Sequence, residues 1–409
     1  MNIRYLFLTV AFFSIIFTGC NNEEVFLVED DFFISPDKAE FVATRIAEFL
    51  PYDSSISGDG LIIDFNDNAN QGVSSMIRTT YPVNDKNGKP AFYIVNYEKG
   101  GFIILSADIR MGPVLSISET GYFEVTADYP EGLNRWMSNI KENTEILRDG
   151  NFKVDEDQKL AWEAFLNMKK DEITTRSGDK DPLEYMKITD LKHIMHLKWN
   201  HHGDGYNDSV PHNCPNNPGG KAYVGCVPVT VGQILRHWEY PESYEWDKMP
   251  ASYATPTTAK FLVDIGKDVE VFYTCNSGSG SYMDIAYALR MFYGYSATND
   301  FSYTYEELRG EIDINRPVIL SGPAVLLDGN NINHAWICEG YMEYMIEIYS
   351  GFTMDKDSEE KIVLPRKMLY MNWGWNEYNG WYSNEKLLNG EGRFYIQEMI
   401  KNIYPKAND

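Results

Sequence analysis

Cys226 occupies a position that suits a reactive cysteine. It follows Gly225, which allows a ligand to approach the backbone closely. Apolar residues recur after it at the spacing of a helix: Val231, Ile234, Leu235 and Trp238. Because Pro228 is tolerated only in a first turn, Cys226 should lie at the N-terminal edge of a buried helix, where free N–H groups and the helix dipole favour a thiolate. A buried structural cysteine fits this segment equally well.

Two later segments could complete a thiol acyl-transfer site. His334 stands where the polar run 329–333 enters an apolar strand, so its ring can reach a cleft. A strand over 368–372 ends in Asn372, followed by Trp373. The Asn372 side chain can accept the second imidazole N–H and so fix the tautomer of the base. The order Cys, His, Asn within one region therefore predicts nucleophilic attack by a thiolate on an acyl group.

The elements that must position these residues divide the chain into two regions. All seven histidines lie beyond Asp190, so an imidazole-dependent step belongs to the C-terminal region. The N-terminal region has the patterns of an α+β domain. Its predicted elements are a helix from Ser35-Pro36 to Leu50, a hairpin of strands 91–97 and 102–106, an amphipathic helix after Pro130, and a helix over 158–168.

A polar run joins the two regions. Residues 171–182 contain Gly, Pro and a single arginine, Arg176, and this composition predicts an exposed linker that proteases can cut. The length of 409 residues fits two or three domains. The formal charge of −24 argues against nucleic acid and against anionic lipid as electrostatic partners, because both would repel the chain.

The first twenty residues have the pattern of a bacterial lipoprotein signal. Arg4 precedes the apolar stretch 6–17, which is too short for a membrane span. The stretch ends at Gly19-Cys20, so cleavage before Cys20 would expose a thiol for lipidation. We therefore expect a protein of the bacterial cell envelope, held by a lipid anchor on the periplasm-facing or outer surface. Proteolytic processing could release it from this anchor. An ordinary cleaved signal is the alternative.

The sequence resembles the streptopain family of papain-like cysteine peptidases, which bacteria make as proenzymes. The resemblance rests on Gly225-Cys226 with the Gln233-Ile234 helix, on His334-Ala335-Trp336, and on Asn372-Trp373-Gly374-Trp375. The segment 100–108 matches the family's pro-region more loosely. The resemblance implies an α+β fold, with a signal over 1–20, an inhibitory propeptide over 21–176 and a two-lobed peptidase domain over 177–409.

The resemblance also implies roles for single residues. Cys226 would be the nucleophile, His334 the general base and acid, and Asn372 the orienting residue, with Trp373 shielding the His–Asn hydrogen bond from water. His201 occupies the position of the family's oxyanion-hole glutamine. A histidine N–H can still donate to an oxyanion, although loss of such a donor costs about 10²–10³ in rate. The implied partners are peptide substrates and the chain's own propeptide.

Other interpretations of the sequence compete with this one. His193 and His196 have a spacing found in zinc sites, but no Cys-x-x-Cys or His-Glu-x-x-His motif accompanies them, so we predict no metal and no other cofactor. Cys214 and Cys338 could form disulfides whose connectivity the sequence does not reveal. An amidase or acyltransferase on the same fold would need the same three residues. A histidine at position 201, where the family has its oxyanion-hole glutamine, also fits a non-catalytic surface lipoprotein that binds a polymer.

Overall fold

The structure is a computed structural model of the chain. It describes residues 32–47, 76–125, 129–150, 152–166, 186–201, 203–275, 280–281, 283–325, 331–350, 360–384, 396 and 398–406. The predicted signal, the linker 171–182 and the last three residues of the first predicted helix lie outside the described residues. The domain boundaries given above therefore remain predictions. Below, the N-terminal region means residues 33–166 and the C-terminal region means residues 186–406.

The N-terminal region has the helices and the hairpin that the sequence predicts. Its first helix starts after Ser35, whose side chain accepts a hydrogen bond from the Lys38 N–H. The hairpin strands pair antiparallel, and the helix after Pro130 buries the apolar stripe expected of it. The elements are α1 Pro36–Ala47, β1 Ile77–Asn84, β2 Pro90–Tyr97, β3 Phe102–Ser106, β4 Val114–Ser118, α2 Glu131–Asp149 and α3 Glu156–Leu166.

The C-terminal region is also mixed helix and strand, as an α+β fold requires. Its longest element is a strand of twenty residues, β10, which carries His334. The elements are β5 Met186–His193, α4 Cys226–Trp238, α5 Pro256–Asp268, β6 Val271–Phe272, β7 Gly280–Ser281, α6 Ile285–Phe292, β8 Tyr295–Asp300, α7 Tyr305–Asp313, β9 Val318–Val325, β10 Asn331–Ser350, β11 Glu360–Asn372, β12 Gly380–Ser383 and β13 Glu398–Pro405.

One antiparallel sheet runs through both regions. Its strand order is β1-β2-β3-β4-β12-β11-β10-β9-β13-β8, and β5 pairs with β10 beside this path. The two regions join where β4 pairs with β12, with Ile117 opposite Trp381 and Ser116 opposite Tyr382. The backbone ladder therefore continues from the N-terminal region into the strands that carry His334 and Asn372.

Two hydrophobic cores lie against this sheet. The first, here called the C-terminal core, is built from residues 195–403 and surrounds α4, α5 and α6. The second, here called the shared core, combines residues 91–147 of the N-terminal region with residues 305–399 of the C-terminal region. Strand β10 contributes alternate residues to the two cores, because successive side chains of a strand point to opposite faces.

Among the described residues, each helix is too short or too polar to cross a bilayer.

Candidate active site

Helix α4 begins at Cys226, as the sequence predicts. Gly225 caps it with φ 96°, a conformation that side-chain-bearing residues rarely adopt, so this glycine is required by the turn into the helix. The helix buries nine consecutive residues after Cys226, whereas Cys226 itself is partly exposed. Thr230, one turn later on the same face, donates through its hydroxyl to the Ala335 carbonyl at 3.3 Å. This contact fixes the start of α4 against β10 beside His334.

The surroundings of Cys226 favour the protonated thiol. Burial, and after it the negative charge of Glu131, raise the pKa of this thiol to about 12. The backbone N–H groups of Cys226, Val227 and Ala335 act in the opposite direction, as expected at a helix N-terminus. In the uncleaved chain, burial and Glu131 therefore oppose the thiolate that the start of α4 favours, and the predicted reactive thiolate stays a prediction.

His334 lies within β10 and not in a loop before it, because the strand already begins at Asn331. The ring is 1% exposed, and burial lowers its pKa to about 3. It stacks on Trp336, with ring centroids 6.1 Å apart and planes at 17°. A hydrogen bond with the Trp373 backbone acts on this pKa in the opposite direction but does not offset the burial. The uncleaved chain therefore disfavours the imidazolium form of His334.

The first turn of α2 occupies the space in front of His334. Glu131 Oε2 lies 3.2 Å from His334 Nδ1. A Cβ atom added to Gly132 would lie 2.7 Å from His334 Cδ2, 2.9 Å from Trp373 and 3.0 Å from Trp336. Only a glycine therefore lets the helix approach so closely. A helix of the N-terminal region thus places a carboxylate against the candidate base and near enough to the candidate nucleophile to raise the pKa of its thiol.

Asn372 ends β11 as predicted, but its amide does not bond to His334 in this structure. Its Nδ2 donates to the Leu197 carbonyl at 2.9 Å, to Gln233 Oε1 at 3.0 Å and to Glu339 Oε2 at 3.2 Å. Its Oδ1 accepts from the Gly374 N–H at 3.2 Å. The structure therefore brings Asn372 to the same end of the sheet as His334 without forming the predicted hydrogen bond.

His201 and Trp373 lie beside His334. The His201 ring is 2% exposed, and its centroid lies 5.9 Å from that of His334. Its backbone N–H donates to the Gly374 carbonyl at 2.9 Å. Trp373 is fully buried and packs on Trp336 at 5.2 Å. The structure thus places His201 and Trp373 close to His334, and their roles as oxyanion donor and as hydrophobic shield stay predictions.

Several other cysteines and histidines of the C-terminal region also have defined surroundings. Cys214 forms a disulfide with Cys275, a connectivity that the sequence left open, and Cys338 is buried in β10. His212 is near this disulfide, but bonded sulfurs are not thiolate ligands for a metal. His193 bonds to Glu339 through Nε2 at 2.8 Å. The predicted absence of a metal remains a prediction.

Two family profiles match the chain. Residues 64–144 match the Spi protease inhibitor, and residues 242–382 match the Peptidase C10 family. The second match includes His334 and Asn372, whereas Cys226 precedes it. Inhibitor and peptidase thus follow each other in the order of a proenzyme. The chain is thus similar to the Peptidase C10 family over residues 242–382, and the predicted resemblance to streptopain-like proenzymes is confirmed.

Relatives of this family cover both regions. The thiol protease/hemagglutinin PrtT of Porphyromonas gingivalis is 24% identical over an alignment of 377 positions that covers 78% of this chain and 37% of that protein. Streptopain of Streptococcus pyogenes is 21% identical over an alignment of 336 positions that covers 69% of this chain and 71% of the other. This chain therefore spans little more than a third of the first of these relatives.

A solved structure agrees in fold. The prointerpain A fragment of Prevotella intermedia is 20% identical and superposes with a TM-score of 0.51, covering 80% of this chain and 99% of the fragment. The chain thus shares the α+β fold of this fragment, as the sequence predicted.

Sequence reasoning missed several residues of this streptopain-like site. Glu131, Gly132, Glu339 and Gln233 all contact the candidate catalytic residues, and the first two lie about 200 positions before His334. One signal was available for Glu339. It follows the apolar run 335–338 in a buried strand, and a carboxyl group in that setting requires a partner.

Proposed function

We propose that the chain is the zymogen of a cysteine endopeptidase in which Cys226 is the nucleophile, His334 the base and acid, and Asn372 the orienting residue. The observation that carries this proposal is the first turn of α2, which inserts Glu131 and Gly132 of an inhibitor-type region against His334. An inhibitory segment has reason to cover this histidine only if the histidine acts in catalysis.

The proposed reaction begins once the N-terminal region has left the site. His334 takes the proton of the Cys226 thiol, and the thiolate attacks the carbonyl carbon of a peptide bond. The oxyanion then accepts from the Cys226 backbone N–H at the start of α4 and from the His201 side chain. His334 returns the proton to the leaving amine as the C–N bond breaks. A water molecule, deprotonated by His334, then attacks the thioester; the C–S bond breaks, and His334 gives this proton to the departing Cys226 sulfur. Both side chains thus end the cycle in the protonation state in which they began it.

Three features of the uncleaved chain oppose this reaction. The Cys226 thiol is neutral, the His334 ring is buried beside Glu131, and the Asn372 amide is not bonded to that ring. Removal of the N-terminal region would reverse all three. We propose that cleavage within the linker 171–182, near Arg176, activates the enzyme.

We test the nucleophile with Cys226→Ala, using Cys338→Ala as the matched control because Cys338 is buried in β10, on the face that lines the shared core. The purified chains are assayed on casein and mapped by mass spectrometry for cleavage near Arg176. We expect Cys226→Ala to lose at least about 10³-fold in hydrolysis, and the control to keep its activity. Persistent hydrolysis by Cys226→Ala would refute the mechanism and favour a contaminating or different active site.

We also propose that the protein is exported and held in the cell envelope by lipid on Cys20. The support is the sequence alone: an apolar stretch ending at Gly19-Cys20. Expressed in a bacterial host, the wild-type chain should partition into the detergent phase of a Triton X-114 extraction, and Cys20→Ala into the aqueous phase. Aqueous partition of both chains would contradict lipidation while leaving the peptidase proposal intact.

A non-catalytic binding protein is the second candidate, favoured by His201 at the oxyanion position. The two functions separate in the same assay. A processed chain that binds casein without hydrolysing it, and whose Cys226→Ala variant binds equally well, would support the second candidate.

A further inference from the structure

Glu339 is a carboxyl group buried inside the C-terminal region. It lies in β10, five residues after His334, and is 1% exposed. Its neighbours in sequence, Ile337 and Cys338, are fully buried apolar residues. Burying a carboxyl group costs free energy unless it is hydrogen-bonded, so its position needs a reason beyond packing.

Both carboxyl oxygens of Glu339 are engaged. Oε2 accepts from Asn372 Nδ2 at 3.2 Å, and Oε1 lies 2.8 Å from His193 Nε2. The His193 ring is held in turn by stacking on Tyr370, with centroids 4.0 Å apart. Glu339 thus links Asn372 to a second, fixed imidazole on the side away from His334.

Gln233 approaches the same amide from helix α4. It is 1% exposed and follows Cys226 by seven residues, so both lie on one face of the helix. Its Oε1 accepts from Asn372 Nδ2 at 3.0 Å, and its Nε2 donates to Asn372 Oδ1 at 3.4 Å. The helix that presents Cys226 therefore also forms hydrogen bonds with the candidate orienting residue, Asn372.

These contacts fix which way the Asn372 amide points. Three acceptors surround Nδ2: the Leu197 carbonyl, Gln233 Oε1 and Glu339 Oε2. A flipped amide would place Oδ1 against the Leu197 carbonyl and Glu339 Oε2 and leave both without a donor, and the Gln233 amide would have to turn with it. Asn372 therefore keeps Oδ1 as its acceptor atom, which in the uncleaved chain accepts from the Gly374 N–H at 3.2 Å and from Gln233 Nε2 at the longer distance of 3.4 Å.

We propose that Glu339 and Gln233 are positioning residues for the peptidase reaction, because they hold the Asn372 amide so that Oδ1 accepts from the His334 imidazolium after the N-terminal region has left. This inference rests on the proposed function. Neither residue touches substrate; both act through Asn372.

The protonation state of Glu339 and His193 does not weaken this positioning role. Burial raises the pKa of Glu339 to about 8 and lowers the pKa of His193 to about 3. His196 and Tyr370 also face the carboxyl group. With the proton on Oε1 or on His193 Nε2, Oε2 remains an acceptor for Asn372, so the amide keeps its orientation through neutral pH.

The test compares pH profiles of the processed enzyme. Without a fixed acceptor, the His334 imidazolium is less stable, its pKa falls, and the alkaline limb of kcat/KM moves to lower pH. In the processed enzyme, Cys226 and His201 are the titratable groups that the structure places near this ring. For Glu339→Leu we expect a shift of about one pH unit, a fall of about 10-fold in kcat and a KM within about 2-fold of wild type.

Two further variants separate positioning from packing. Glu339→Gln keeps an acceptor oxygen for Asn372, so it should restore the alkaline limb to within about 0.3 pH unit of wild type. Gln233→Leu removes the hydrogen bonds that α4 makes with the same Asn372 amide. It should shift the alkaline limb in the same direction as Glu339→Leu. The matched control is Glu343→Leu, four residues further along β10, where the carboxylate pairs with Arg309 at 3.4 Å; its limb should not move.

The results distinguish failure of the positioning role from failure of the proposed function. Equal loss of kcat in Glu339→Leu and Gln233→Leu, with both limbs unmoved, would overturn the positioning role and leave only packing. If Glu339→Leu does not fold, the unmoved limb of Gln233→Leu would overturn the role by itself. Absence of Cys226-dependent hydrolysis in the processed wild-type enzyme would instead refute the proposed function, and this inference with it.

Discussion

The C-terminal core and the shared core differ in which part of the chain builds them. The C-terminal core uses residues 195–403 only and encloses the helix that presents Cys226. The shared core needs residues 91–147 as well, and its C-terminal half includes Trp336 and Trp373 next to His334. Removal of the N-terminal region would leave the first core whole and expose half of the second.

Under the proposed function, this difference separates the peptidase from its inhibitor. The N-terminal region is stabilised by apolar surface beside the candidate site, and loss of that region would expose this surface. The C-terminal region keeps a complete core of its own under α4. Variants placed in one core or the other should therefore have separable effects.

Trp136→Ala should have the largest effect on the shared core. Trp136 lies on α2, is 3% exposed and packs edge-to-face on Tyr382 of β12 at 4.8 Å. Its loss should weaken docking of the N-terminal region by about 3–5 kcal/mol. We expect rapid proteolysis of residues 33–166 and intact residues 186–406, measured by limited proteolysis with mass spectrometry. Cooperative loss of both regions would show that the cores are not separable.

Leu262→Ala is the counterpart in the C-terminal core. Leu262 on α5 is fully buried and packs near Gly232 of α4. We expect the free energy of unfolding of the C-terminal region to fall by about 2–5 kcal/mol, with reduced activity after processing. Denaturant melts of the processed enzyme measure this. An unchanged midpoint would contradict the assignment of Leu262 to the core that supports α4.

Gly132→Ala tests the close approach of α2 to the site. The added methyl group overlaps three aromatic side chains, and such overpacking costs about 1–3 kcal/mol, so the uncleaved chain should gain about 5- to 150-fold in hydrolysis of a small peptide. Gly310→Ala in α7 is the control, because a Cβ there meets nothing within 4 Å. No gain in Gly132→Ala would mean that α2 does not block the site.

Glu131→Gln should have the smallest effect. The carboxylate raises the pKa of Cys226 but is secondary to burial, and its side chain is 23% exposed. Its neutralisation should lower that pKa and speed alkylation of Cys226 in the uncleaved chain about 2- to 5-fold. Glu142→Gln, on the same helix and paired with Arg135, should change nothing. A slower reaction in Glu131→Gln would reverse the assigned sign.

Local patterns predicted the elements that carry the site, and they did so for identifiable reasons. Pro228 and the apolar spacing after Cys226 fix the start of α4, and the strand ending at Asn372 is encoded by its own residues. Both signals lie within a few residues of the feature that they predict.

The state of the site could not be predicted in the same way. The Cys226 pKa follows from burial and from Glu131, which is 95 positions away in the sequence. The orientation of Asn372 follows from Glu339 and Gln233, which other elements bring to it. Such contacts depend on packing between distant segments, which periodicity and local motifs do not encode.

The central claim is that the N-terminal region suppresses a reactive Cys226. The most direct test is the rate of iodoacetamide alkylation of Cys226 at pH 7, followed by peptide mass spectrometry in the uncleaved and the processed chain. With a pKa of about 12 in the uncleaved chain, we predict an increase of at least about 100-fold on processing, while Cys338 stays protected in both. Equal rates for Cys226 in the two forms would contradict the account.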